Sequence, residues 1–203
     1  MEITLKQIKE LRARTGAGVT MVKEALEKSN GDVEKAIIYL REKGIARAEK
    51  RAEKIASNGF IAHYIHGEGT AGVLLELNSE TDFASRSPQF RELAREIAIQ
   101  IAATTPEYVS IDDIPEDVMA KERALAEKGL DEKKPKEIRE KIVEGKLSKF
   151  FEEKVLLEQR YVKDESKKIK DMLNEALAAI GEKIEIGRFC LIKIADSRTS
   201  CKL

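Results

Sequence analysis

The sequence predicts an α+β protein: a three-helix bundle at the N-terminus, then a core in which a small antiparallel sheet of about three strands packs with helices. Three observations carry this prediction. Residues 1–44 hold three short apolar repeats at helical spacing, separated by turn residues. The stretch from Phe60 to Leu77 reads as a hairpin, and a long strand from Lys183 to about Ala195 follows a series of helices. The predicted organisation is a helical domain over 1–44, a charged helical linker over 45–58, a core domain over 59–195 and a flexible tail over 196–203.

Composition narrows the class. The chain has 203 residues, 42% apolar and 36% charged, enough for one domain with a proper core plus a smaller module. Lysine plus arginine number 37, as do aspartate plus glutamate, so no overall field draws the chain to nucleic acid or an anionic membrane. Neither is predicted as a direct partner. No apolar run approaches a membrane span, and Met1-Glu2-Ile3-Thr4-Leu5-Lys6 lacks the basic-then-apolar order of a signal peptide, so the predicted location is cytoplasmic. The two cysteines, Cys190 and Cys201, are expected as free thiols in a reducing compartment.

At the N-terminus, Thr4 and Gln7 form a capping-box pattern, and Leu5, Ile8 and Leu11 repeat until Thr15-Gly16-Ala17-Gly18 stops the first helix. Val19, Val22, Ala25 and Leu26 stripe a second helix. Asp32 caps a third, with Val33, Ala36, Ile37 and Leu40 facing inward and Gly44 ending it. Such short helices are unstable singly, so their stripes must pack together. Beyond them Arg47, Lys50, Arg51 and Lys54 share a face with Glu49 and Glu53 between. Without interleaved aromatics this reads as a solvated linker and not as an RNA patch.

The hairpin pairs Phe60 to His66 with Ala71 to Leu77. Its turn, Gly67-Glu68-Gly69-Thr70-Ala71-Gly72, has the letters of a dinucleotide fingerprint, but that motif must lead into a helix and here a strand follows. His63 and His66, three apart in a strand, point to opposite faces, so no metal site is predicted. After the hairpin, Asn78-Ser79-Glu80-Thr81-Asp82-Phe83 forms a strand-to-helix connection. Its bland reading is that Phe83 caps the core and Asp82 holds the turn. Ser87 and Pro88 open a helix striped by Phe90, Leu93, Ala94, Ile97 and Ile101.

Thr104-Thr105-Pro106 breaks that helix. Pro115 starts a charged helix near Glu116 to Glu127, closed by Gly129; after Lys133-Lys134-Pro135 another carries Ile138, Ile142 and Val143, is interrupted at Gly145, and resumes with Leu147, Phe150 and Phe151. The adjacent phenylalanines read as a local cluster. Val155 to Gln159 fits an extended segment or a short helix. The last helix opens at Ser166, carries Ile169, Met172, Leu173, Ala176 and Ile180, and ends at Gly181. In the final strand, alternation puts Ile184, Ile186, Cys190, Ile192 and Ile194 on one face and Phe189 and Leu191 on the other, with Cys190 read as a packed residue. Two apolar faces imply a central strand or a covered surface.

No enzyme signature is present: no nucleophile elbow, Walker lysine, zinc-protease helix or catalytic Cys-His spacing. A Glu80–Asp82 acid-base pair requires the strand to continue that far. The prediction is a binding protein, not an enzyme, without cofactor.

Two stretches together resemble a known family. Leu11-Arg12-Ala13-Arg14-Thr15-Gly16-Ala17-Gly18, with Lys23-Glu24-Ala25-Leu26 and Gly31 to Ala36, is similar to the N-terminal module of bacterial translation elongation factor Ts. Gly72 to Phe83 resembles that family's core signature, with its Thr-Asp-Phe motif. The resemblance implies a guanine-nucleotide exchange factor acting on the GDP form of elongation factor Tu. In that role Thr81 would shape the loop, Asp82 and Phe83 would approach the Mg²⁺ side of the nucleotide pocket, and Phe83 would wedge between helices. The N-terminal module would dock through Arg12, Thr15, Gly16, Ala17, Gly18, Val19 and Thr20. At Val19 and Thr20 the chain departs from the Met-Met pair that members often carry, which implies weaker or shifted docking. The chain has the length of the short, single-core form, which implies a homodimer formed by the core, with Cys190 near the symmetric contact. The first module also resembles ubiquitin-associated domains, so an adaptor reading stands beside the exchange reading; under it Asp82 and Phe83 are dispensable.

Overall fold

A computed structural model describes residues 3–128, 130, 135–194 and 200–201, without side-chain detail at 47–49 and 200–201. The chain divides into two compact units, residues 1–99 with 170–203, and residues 100–169.

In the first unit, α1 (Leu5–Thr15), α2 (Val19–Lys28) and α3 (Val33–Arg51) form the predicted bundle around buried Leu11, Ala17, Val22, Ala25, Leu26, Ala36 and Leu40. The capping box is made: the Gln7 amide donates to Thr4 Oγ1 at 3.3 Å and the Thr4 amide to Gln7 Oε1 at 3.0 Å. Asp32 Oδ1 likewise accepts from the Lys35 amide at 3.1 Å. Gly44 does not end α3, which continues to Arg51 and takes in much of the predicted linker. There is a physical reason for a glycine inside this helix: a Cβ at Gly44 would lie 3.0 Å from the carbonyl oxygen of Asn174 in α8 (Ile169–Ile180). Two helices approach closely there.

The sheet has the order β1 (Asn58–His66), β2 (Ala71–Ser79), β5 (Ile184–Lys193), β6 (Ser200–Cys201), all pairs antiparallel. The glycine turn of the hairpin is a single 3₁₀ turn, Gly67–Gly69. Part of the segment predicted as a loose tail is thus a short strand, while residues 195–199 lie outside the described set. Between α4 (Asp82–Arg86) and α8 the unit also holds the start of α5 (Pro88–Thr104), whose Phe90 amide donates to Ser87 Oγ at 3.2 Å and whose predicted stripe is buried.

The faces of β5 correct the alternation read from sequence. Ile184 and Ile186 are buried, but so are Phe189 and Leu191, whereas Ile192 and Ile194 are exposed and Cys190 is half-buried. The register against β2 shifts between Glu76 and Leu77, where Gly187 is the extra residue of a bulge. One inserted residue reverses the parity of everything after it. Cys190 therefore lies on the outer face opposite Leu74, not among the buried isoleucines. The free-thiol expectation is also corrected: Cys190 is disulfide-bonded and stands opposite Cys201 in the pairing of β5 with β6. The fold brings these positions into cross-strand register, which their separation in sequence does not reveal.

In the second unit, α6 (Glu116–Glu127) and α7 (Lys136–Lys154) pack through Ala126, Val143 and Leu147. Helix α7 runs unbroken through Gly145, which is exposed, and Gly129 lies outside the described residues. Phe150 and Phe151 meet edge to face at 5.9 Å, and both pack on Tyr108, Ile114 and Val155. Val155 bridges to Tyr108, and Leu156–Glu158 is a 3₁₀ turn, which resolves the ambiguous segment. Ser166 opens no helix; it belongs to β4 (Asp164–Lys168), the partner of β3 (Arg160–Tyr161). Buried Gln100 holds that hairpin, donating to Gln159 Oε1 and the Arg160 carbonyl and accepting from the Val162 amide. Apolar periodicity carries no trace of this polar network.

Candidate functional site

The Thr-Asp-Phe segment is not an open loop. Strand β2 ends at Ser79, Thr81 caps the one-turn helix α4 by accepting from the Ala84 amide at 3.3 Å, and Asp82 is the first helical residue. The inner side of the turn is closed, with Ala84 and Ser85 buried and Ser79 Oγ donating to the Thr81 carbonyl at 2.9 Å. Phe83 faces the other way and is 83% exposed. Burying such a side chain is worth about 1.5–3 kcal/mol, which this fold leaves uncollected. The bland reading, with Phe83 capping the core, is incompatible with that position.

Asp82 pairs with Arg86 at 3.1 Å, one helical turn on, and both side chains are largely exposed. Exposed pairs of this spacing contribute about 0.3–0.5 kcal/mol, so the carboxylate is only lightly committed. Glu80 is different. Its Oε1 accepts the Lys183 amide at 2.7 Å and pairs with Arg51 at the end of α3. The Lys183 amide, ahead of the Arg51 guanidinium, holds this carboxyl below the usual glutamate range. Glu80 and Asp82 are thus engaged with different partners and do not form the acid-base pair considered from sequence.

The turn between α1 and α2 lies near the start of α5. Gly16 caps α1 in the left-handed conformation, with φ 67°, and a Cβ there would meet Gln89 Nε2 of α5 at 3.4 Å. Thr15 Oγ1 donates to the Leu11 carbonyl at 2.7 Å, and Gly18 precedes α2. Arg12, Gly16, Gly18, Val19 and Thr20 are exposed and Thr15 is half-buried; Ala17 instead belongs to the bundle core. The α1–α2 turn therefore stands beside the start of α5, a few residues after Phe83.

The profile of the family described as Elongation factor TS matches residues 4–179, which span the bundle, the hairpin and α4. The chain belongs to the elongation factor Ts family. It is 53% identical over 190 residues to a protein named Elongation factor Ts from Coprothermobacter proteolyticus, covering 93% of this chain and 96% of the relative. It is 48% identical to the Elongation factor Ts of Moorella thermoacetica over 195 residues, 96% of each chain. The Thermotoga neapolitana protein of that name is 48% identical over 196 residues, 97% of this chain and 99% of its own.

Several features of the site escaped the sequence reading. Glu182 accepts from both the amide and the hydroxyl of Thr81, at 3.0 and 2.7 Å, and Lys183 Nζ donates to the carbonyls of Ala52 and Lys54 at 3.0 Å each. These partners lie more than a hundred residues apart, and no local pattern announces them. His63 and His66 do not converge: His63 lies on the outer face of the sheet, and His66 Nδ1 is 3.0 Å from Tyr64 Oη. Among the described residues no cluster of three or more His, Cys, Asp and Glu is placed to hold a metal ion. No helix among them is long and apolar enough to cross a membrane.

Proposed function

We propose that this chain is a guanine-nucleotide exchange factor for elongation factor Tu, binding its GDP form and promoting GDP release during translation elongation. The exposure of Phe83 on a turn anchored from beneath carries this reading. Phe83 serves as the wedge between helices of the GTPase, and its burial there recovers the apolar contribution forgone in the free chain. Asp82, released from its weak pairing with Arg86, approaches the Mg²⁺ side of the nucleotide pocket. Magnesium demands near-ideal octahedral geometry, so a small displacement of its surroundings loosens metal and phosphates together. The α1–α2 turn, with Arg12, Thr15, Gly16, Gly18, Val19 and Thr20, supplies a second contact on the same domain. The coupling is reciprocal: the factor by which this chain weakens GDP binding is the factor by which GDP weakens binding of this chain. The role is that of a cytoplasmic binding protein without a catalytic residue or cofactor of its own.

A homodimer belongs to the same reading. The outer face of the sheet carries Ile61, Ile65, Leu74, Ile192 and Ile194, each more than half exposed, around Cys190. Its principal charges, Glu76 and Arg188, pair with each other at 2.9 Å. An apolar, internally neutralised face is self-complementary under a two-fold axis, which favours a second copy of the chain as its cover. The deciding experiment is fluorescent-GDP release from elongation factor Tu: wild-type chain at micromolar concentration accelerates it, and no acceleration overturns the reading.

A further inference from the structure

Beneath α4 two segments distant in sequence are tied by a crosswise pair of carboxylates that the exchange reading leaves without a role. The last β2–β5 pair is Ser79 with Ile184. One step beyond it, the Lys183 amide donates to Glu80 Oε1 at 2.7 Å, while the Thr81 amide donates to Glu182 Oε2 at 3.0 Å. Side chains thus prolong the ladder where the backbones part. Glu182 goes further, because its Oε1 also accepts from Thr81 Oγ1 at 2.7 Å. Hydrogen bonds to a charged acceptor are shorter and stronger than neutral ones, and two of them on one threonine fix both its backbone and its rotamer. That same Thr81 Oγ1 accepts from the Ala84 amide and so sets the start of α4. A helix of five residues has no stability of its own, so its direction follows its foot.

The foot is in turn bolted to the N-terminal module. Arg51, the last residue of α3, pairs with Glu80, and Lys183 Nζ holds the two carbonyls just beyond that helix.

The geometry points to Glu182 as a positioning residue for Phe83: by gripping both hydrogen-bond donors of Thr81, its amide and its hydroxyl, it sets the direction in which α4 presents Asp82 and Phe83, while the neighbouring Glu80–Arg51 pair ties the same foot to α3. This rests on the exchange reading, but the grip itself is testable without it.

The test uses full-length wild type, Glu182→Ala, Glu182→Gln, Phe83→Ala and the double variant Glu182→Ala with Phe83→Ala. By amide hydrogen exchange, Glu182→Ala should speed exchange at Thr81 and Ala84 by about tenfold while the central β2 amide of Leu75 stays protected. Unchanged protection at Thr81 and Ala84 in the folded variant overturns the grip, whatever the partner does. With elongation factor Tu in saturating amounts, Glu182→Ala should lower the maximal GDP-release rate about threefold to tenfold, with less change in the half-saturating concentration, and Glu182→Gln should restore part of the rate. The double variant should lose less than the product of the two single losses, because the two changes act in part through one side chain. Multiplying losses in the double variant overturn the positioning role. Should Glu182→Ala fail to fold, Glu182→Gln carries both measurements with a smaller shift of the same sign, and no shift in it overturns the proposal. If wild type fails to accelerate release, the exchange reading falls and hydrogen exchange still judges the grip.

Discussion

Gly44 in α3 lies against the Asn174 carbonyl oxygen in α8, so close that a Cβ on Gly44 would stand 3.0 Å from it. Elsewhere glycine inside a helix costs about 1 kcal/mol relative to alanine. Here the missing side chain is what permits the contact. Gly44→Leu should therefore lower unfolding stability by about 1–3 kcal/mol in a urea titration. Gly145 of α7 is the opposite case: it is exposed, and a Cβ there meets nothing within 4 Å. Gly145→Ala should raise stability by about 0.5–1 kcal/mol. Equal effects at the two glycines would contradict the close approach of α3 to α8.

Phe83→Ala should separate function from stability. An exposed side chain contributes little to folding, so the unfolding free energy should change by no more than about 0.5 kcal/mol. GDP release should slow markedly, and Asp82→Ala should slow it as well. A large loss of stability in Phe83→Ala would show that the side chain is packed in solution.

Acid should loosen the foot of α4. Folding favours the Glu80 carboxylate, so its pKa is lower in the folded chain than in the unfolded one. That stabilisation is fully present above the ordinary glutamate value, about 4.3, and is lost as pH falls through the lower folded value. Glu80→Gln should lower the melting midpoint at pH 7 and show a shallower fall than wild type as pH drops below about 4.3. Parallel acid limbs for the two chains would assign that loss to other carboxylates.

On the outer face of the sheet, Leu74→Asp should yield a folded monomer. Leu74 is exposed in the single chain, so circular dichroism should be preserved while sedimentation shifts to half the mass. A wild-type chain that sediments as a monomer at micromolar concentration would dismiss the homodimer.

Most elements were legible because they obey local rules. The capping box at Thr4 and Gln7, the Asp32 cap, the hairpin and the stripe of α5 depend on neighbours a few residues away. The Thr-Asp-Phe segment was visible as a connection of unusual chemistry. Misreadings came where a local signal has two meanings. Gly44 and Gly145 look alike as helix breakers, yet both sit inside helices, one because another helix needs the room. Gly187 inside a strand is a recognised sign of a bulge, and reading it so would have placed Phe189 inside and Cys190 outside.

The sequence by itself determined the α+β class, the three-helix module, the positions of Thr81, Asp82 and Phe83, and the family resemblance, since each rests on residue type and short-range spacing. Tertiary structure alone decided that Phe83 points outward, that Glu80 and Glu182 cross beneath it, and that Cys190 faces Leu74. Those outcomes depend on pairings between β2 and β5 across more than a hundred residues, and on a single bulge that sets which face each later side chain takes.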